Sequence, residues 1–146
     1  MVSETQQVSD RDAVRAVVIR YFVGVDRLDA DMIGSTYHPD AVDVRGPRTI
    51  HGATAGEDIV ATNTKSMAST RHHITTHHIE VDGDTALSEA YCLGVHVTAG
   101  DPGRRMQTSG RYIDHLERRN GEWRIAQREV FVDMMKVSDL ADEAGR

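Results

Sequence analysis

The chain has 146 residues, enough for one domain with a real core and too few for two full-sized ones. Acidic residues outnumber basic ones by 23 to 17, a net charge of −6 with no long basic run, which argues against nucleic acid or an anionic membrane as partner. A single cysteine, Cys92, rules out an internal disulfide framework. The N-terminal MVSETQQVSD is polar and no stretch approaches the ~20 apolar residues of a membrane span, so a soluble cytoplasmic domain is expected.

Ser9-Asp10-Arg11-Asp12 reads as a helix N-cap. Val14, Val17, Val18, Tyr21, Phe22 and Val25 follow at steps of three and four, the spacing of a helix with one apolar face that ends at Asp26. A shorter helical piece covers Asp29 to Thr36. Pro39-Asp40 marks a turn, and Ala41 to Val44 a strand. Gly46-Pro47 and His51-Gly52 bracket a short turn or strand pair, and Ala55 to Met67 is weakly helical. Thr70 to Val81 is rich in β-branched residues and closes on Asp82-Gly83-Asp84, a hairpin turn into a long strand from Thr85 to Thr98. After a wide loop, Arg105 to Leu116 forms another strand. An Asn120-Gly121 hairpin then leads to the last one, Trp123 to Met135. The expected organisation is a disordered start at 1–7, one domain over 8–136 and a loosely held tail at 137–146. Helices first and an antiparallel meander after describe an α+β domain: N-terminal helices packed on a strongly curved, mainly antiparallel sheet that leaves a half-open cone.

Four of the eight histidines, His72, His73, His77 and His78, crowd into one predicted strand. Simple alternation sends His73 and His77 to one face, His72 and His78 to the other. Two histidines on a face would be half a zinc site, but no HExxH or paired cysteines complete it, so no metal is expected. One histidine acting as a base, with the others as strand residues, is the preferred reading.

The stretches 20-RYFVGVDRLD-29, 38-HPDAV-42, 72-HHITTHHIEVDGDTA-86 and 110-GRYIDHLERRNGEWRIAQR-128, with their spacing, resemble a SnoaL-like domain of the NTF2-like (cystatin-like) superfamily over roughly 8–135. Within it the pattern is similar to hexachlorocyclohexane dehydrochlorinase, scytalone dehydratase and the bile-acid 7α-dehydratases. The resemblance implies a cone-shaped α+β barrel and a cofactor-free lyase or isomerase that uses an Asp–His dyad. The aspartate ending the first helix in a G-V-D sequence corresponds to Asp26. The histidine eight residues before Glu80 corresponds to His72, the tyrosine five residues before the aspartate to Tyr21, and the arginine of the last strand to Arg128. An asparagine usual four residues after the histidine is here Thr76, and His73 leaves the register open by one position.

In this reading His72 takes a carbon-bound proton while Asp26 fixes its tautomer, and Tyr21 and Arg128 steady developing charge. Phe22, Met32, Ile59, Met67, His73, Tyr91, Tyr112, Phe131 and Met134 are expected to line the pocket. Each residue also has a plainer role open to it. Asp26 could close the helix or pair with Arg20 or Arg27, and Tyr21 could be core; Arg128 could be solvated and His72 a polar strand residue. The expected ligand is a small hydrophobic, steroid- or polyketide-like cyclic molecule. A homodimer or homotrimer without cofactor is the expected state. The competing reading is a non-catalytic NTF2-like module for ligand binding or subunit assembly.

Overall fold

The structure, a computed structural model, describes residues 3–140. Helix α1 spans Glu4–Arg27, and its cap, Ser3, lies six residues before the expected one; the Ser3 hydroxyl accepts a hydrogen bond from the Gln6 N–H. Its buried face is the one the spacing marks: Val14, Val17, Val18, Tyr21, Phe22 and Val25. Asp10 is also buried, and it draws in Arg118, whose Nη1 donates at 2.6 Å. Leu28 ends the helix in a left-handed conformation, and Asp29 caps the short α2 (Ala30–Gly34). Strand β1 (Tyr37–Arg45) absorbs the expected Pro39-Asp40 turn, which sits at an irregularity in its pairing. After β2 (Arg48–His51) and a 3₁₀ turn comes α3 (Ala55–Ser66), of which only Ala55, Gly56 and Ile59 are buried.

Four long strands complete the chain: β3 (Met67–Asp82), β4 (Thr85–Thr98), β5 (Arg104–Arg119) and β6 (Glu122–Asp139). The six strands form one sheet in the order β2-β1-β6-β5-β4-β3, antiparallel except for the parallel pair β1–β6. The sheet is curved but not closed into a barrel. Helix α1 lies against its concave side, where the core gathers around Val14, Val18, Tyr21, Tyr37, Leu116 and Ile125. Each large apolar side chain buried there contributes about 1.5–3 kcal/mol. Among the described residues no helix is long and apolar enough to cross a membrane.

Bulges decide which side chains meet. The β3–β4 register shifts between Ile74 and Thr76, and the β5–β6 register shifts twice, leaving Asp133 and Ala126 as extra residues. Each extra residue reverses the alternation beyond it. Hence Thr70, His72 and Ile74, then His77, Ile79 and Val81, share the concave face, as their burial pattern records. His72 and His77 therefore lie on one side and His73 and His78 on the other, a correction to simple alternation.

Candidate active site

The concave face reads as rows of paired residues running across the strands. One row is His72, Gly94, Thr108 and Met135; the next is Thr70, His96, Met106 and Val137. Above them, α1 presents Phe22 and Asp26, one turn apart on one face. Asp26 engages His72 twice: Oδ2 accepts the His72 backbone N–H at 3.0 Å, and Oδ1 lies 2.6 Å from Nδ1. The backbone bond fixes the carboxylate, so its second oxygen arrives at the ring already aimed. An ionised carboxylate can only accept, so Nδ1 carries the proton, and in the neutral ring Nε2 keeps its lone pair. Among the described residues Nε2 makes no hydrogen bond. The His72 and Asp26 side chains are 11 % and 19 % exposed, so the pair meets solvent at an open face instead of inside a sealed hollow.

Aromatic rings hold the histidine from the helix side. The Phe22 ring centroid lies 5.4 Å from that of His72 and 4.8 Å from that of Tyr112. The Tyr112 hydroxyl makes no hydrogen bond among the described residues, and its ring borders a groove of about 720 Å³. That groove follows the edge where β1 ends and β6 continues, with Val44, Arg45, Val130 and Val132 among its walls. On the other flank the His96 ring meets His72 at 5.3 Å, edge to face. Burial and the neighbouring His72 push the His96 pKa down to about 4, leaving it neutral at physiological pH. Cys92, next to Ile74 in the concave row, is buried and its thiol is pushed up to about 11, so it stays protonated.

Tyr21 and Arg128 are placed differently from the expectation. The bulge at Ala126 turns Arg128 inward, where its guanidinium is fully buried. Nε and Nη2 donate to the two Asp114 oxygens, each at 2.6 Å, and Nη1 donates to the Tyr37 hydroxyl at 3.1 Å. Burial works against the charged guanidinium, but the Asp114 carboxylate outweighs it and holds the pKa well above its ordinary value. The Tyr37 hydroxyl donates in turn to Asp43, which Arg45 grips with Nε and Nη2. Burial would raise the Asp43 pKa, yet the Arg45 hydrogen bonds prevail and lower it. Arg45 also donates to the Tyr21 hydroxyl at 2.6 Å. Arg128 thus lies beneath the site, 4.0 Å from the Tyr21 ring and 5.1 Å from the Tyr112 ring, with no open side toward a ligand.

The expected pocket residues divide. Phe22 stands beside His72, and Tyr112 stands behind Phe22. Ile59 is buried where α3 packs, Met32 lies beside Gly24 of α1, and Met67 is half-buried where α3 gives way to β3. His73, Tyr91, Phe131 and Met134 are not on the concave face. Tyr91, Arg111 and Phe131 form one row of the convex face, and His73, Leu93, Ser109 and Met134 form another. Strict alternation excludes the first three, and the extra Asp133 turns Met134 outward, where it is 67 % exposed. The residues that sequence reasoning missed are His96, Thr70, Thr108 and the Asp114–Tyr37–Asp43–Arg45 network. Alternation of small residues along β4, Ala86, Ser88, Ala90, Cys92 and Gly94, with His96 next in phase, was the available signal for the first. Among the described residues no group of three or more His, Cys, Asp or Glu side chains is placed to hold a metal ion.

Residues 6–129 match the family model described as a SnoaL-like domain. An uncharacterised protein of Mycobacterium tuberculosis is 27% identical over 124 residues, 84% of each chain. A hexachlorocyclohexane dehydrochlorinase from Novosphingobium barchaimii has a similar fold, with TM-score 0.84, 19% identity and coverage of 92% of this chain and 94% of that one. A candidate scytalone dehydratase of Novosphingobium aromaticivorans is also similar, with TM-score 0.76, 15% identity and 95% of each chain covered.

Proposed function

The chain belongs to the SnoaL-like domain family, and on that premise we propose that it is a cofactor-free lyase, with a ring-bearing hydrophobic alcohol as substrate. The observation that carries this reading is the doubly held Asp26 against Nδ1 of His72, which leaves Nε2 unpaired on a ring packed between those of Phe22 and His96. His72 Nε2 takes a proton from carbon next to an electron-withdrawing group, and Asp26 stabilises the imidazolium that forms. The C–H electron pair becomes a C=C bond as the neighbouring C–O bond breaks. Nε2 then returns its proton to the departing oxygen, so water leaves and the histidine is neutral again. Where no leaving group is present, return of the proton to another carbon would make the reaction an isomerisation.

Tyr112, whose hydroxyl is uncommitted, is assigned the hydrogen bond to developing oxygen charge in place of Tyr21. Tyr21 and Arg128 act from below, Arg128 as a buried positive charge against both tyrosine rings. The open groove and the part-exposed pair favour a second reading, a ligand-binding module without turnover.

The experiment is turnover of a panel of steroid and polyketide alcohols by wild type, Asp26→Asn and His72→Ala, with circular dichroism to check folding. Either replacement should cut kcat by roughly 10³-fold or more while the fold persists. Folded variants with wild-type rates would remove the lyase reading. Ligand binding with no turnover by wild type would install the binding-module reading instead. We also propose that a second copy of the chain covers the exposed end of β6, as a homodimer or homotrimer.

A further inference from the structure

Gly94 stands between His72 and Thr108 in one concave row, and the space its missing side chain leaves is filled from the next row. A Cβ there would lie 2.4 Å from His96 Nε2 and 2.5 Å from Thr108 Oγ1. Two polar atoms therefore converge over Gly94, the residue paired with His72 on the next strand, and the His96 and His72 ring centroids are 5.3 Å apart. Their hydrogen bonds are unequal. Thr70 Oγ1 binds Nδ1 at 2.6 Å and fixes the ring, whereas Nε2 and Thr108 Oγ1 are 3.3 Å apart, near the outer limit for a hydrogen bond. Thr70 and His96 are buried, and Thr108 is only half-buried. The ring is thus locked at one nitrogen and loosely satisfied at the other, on the side that faces the open row.

We propose that His96 Nε2 and the Thr108 hydroxyl form a hydrogen-bonding subsite for a hydroxyl or carbonyl oxygen of the substrate. The substrate class is then an oxygen-bearing ring, not a halogenated hydrocarbon. This inference rests on His72 being the base, because it places the oxygen about one ring's breadth from the carbon that loses its proton. In the wall of a pocket for a hydrocarbon halide, His96 Nε2 and the Thr108 hydroxyl would keep only the long 3.3 Å bond to each other, short of the roughly 1–1.5 kcal/mol that a well-formed net hydrogen bond contributes. An oxygen ligand makes up that shortfall: Thr108 can donate to it, and His96 can donate or accept according to tautomer. Phe22 and Tyr112 supply the apolar flank that the ring itself needs.

The test is equilibrium binding of two ring probes of matched shape, 2-naphthol and 2-chloronaphthalene, measured by calorimetry on wild type, His96→Leu and Thr108→Val. Wild type should bind the naphthol roughly tenfold more tightly, the worth of one or two net hydrogen bonds. Each replacement should shrink that preference to about twofold, within the scatter of a lost hydrogen bond. Thr108→Val conserves shape, so it carries the test if His96→Leu fails to fold. Equal affinity of wild type for the two probes, or a preference that survives both replacements, overturns the subsite. The binding measurement needs no turnover: a naphthol preference held by Asp26→Asn, beside unimpaired catalysis in the Asp26 and His72 variants, would sink the lyase reading and leave the subsite standing.

Discussion

Arg128 and Asp114 are each fully shielded from solvent, and their paired hydrogen bonds replace the water both have lost. Removing one partner leaves the other charged and buried. Asp114→Asn should therefore destabilise the protein by about 3–5 kcal/mol, read as a lowered urea midpoint. Arg124 and Glu122 are just as close, 2.7 Å, but Glu122 is 67 % exposed and solvent screens the pair. Arg124→Ala should change stability by less than about 1 kcal/mol. Equal effects of the two replacements would contradict the picture of a buried charged floor under the site. Asp26 and His72 lie between these extremes. Partial exposure keeps the pair reachable, and the two hydrogen bonds from one residue keep it oriented.

Among the elements, the pairing of α2 with α3 depends on Gly56, because a Cβ there would stand 2.0 Å from the Ala30 carbonyl oxygen. Backbone cannot swing away as a long side chain can, so Gly56→Ala should cost about 1–3 kcal/mol by overpacking. A thermal melt of that variant matching wild type would show that the helices approach less closely than described. The strands are set by their irregularities. The extra residue at Thr75 keeps Ile79 and Val81 inward behind His72, and the extra Ala126 brings Arg128 to the concave side while Trp123 and Ile125 remain in the core. These bulges bend the sheet over α1 and bring residues of β3, β4 and β5 to one patch.

For the whole molecule, the uncovered region is the far half of β6. Beyond Val130 it has no partner strand on the β1 side, and Val132, Met134, Met135 and Val137 are 62 %, 67 %, 62 % and 40 % exposed. Val132, Met135 and Val137 continue the concave rows that contain Cys92, His72 and His96, so a second copy seated there would also close the open side of the site. Light scattering should give a dimer or trimer for wild type, and Met135→Asp, which places a charge in the covered face, should raise the dissociation constant by roughly 10- to 100-fold, the effect of a buried apolar contact worth 1.4–2.8 kcal/mol. A monomeric wild type at micromolar concentration would sink that arrangement.

The apolar face of α1, the two hairpin turns and the α+β order were legible in the chain itself, because helical period and Asp-Gly or Asn-Gly chemistry are local properties. The resemblance to a known pattern also drew Asp26 and His72 forward, and the structure places Oδ1 of the one 2.6 Å from Nδ1 of the other. The start of α1 at Glu4 was less legible, since a polar first turn under a serine cap carries no periodic signal. Which face the strand residues beyond each bulge occupy was decided by the tertiary structure. A bulge adds one residue without leaving a mark in composition, and the one at Asp133 sent Met134 out while the one at Ala126 brought Arg128 in. Burial then determined what those side chains could do: a fully shielded arginine must spend its donors on Asp114 and Tyr37, whatever its place in the sequence suggests.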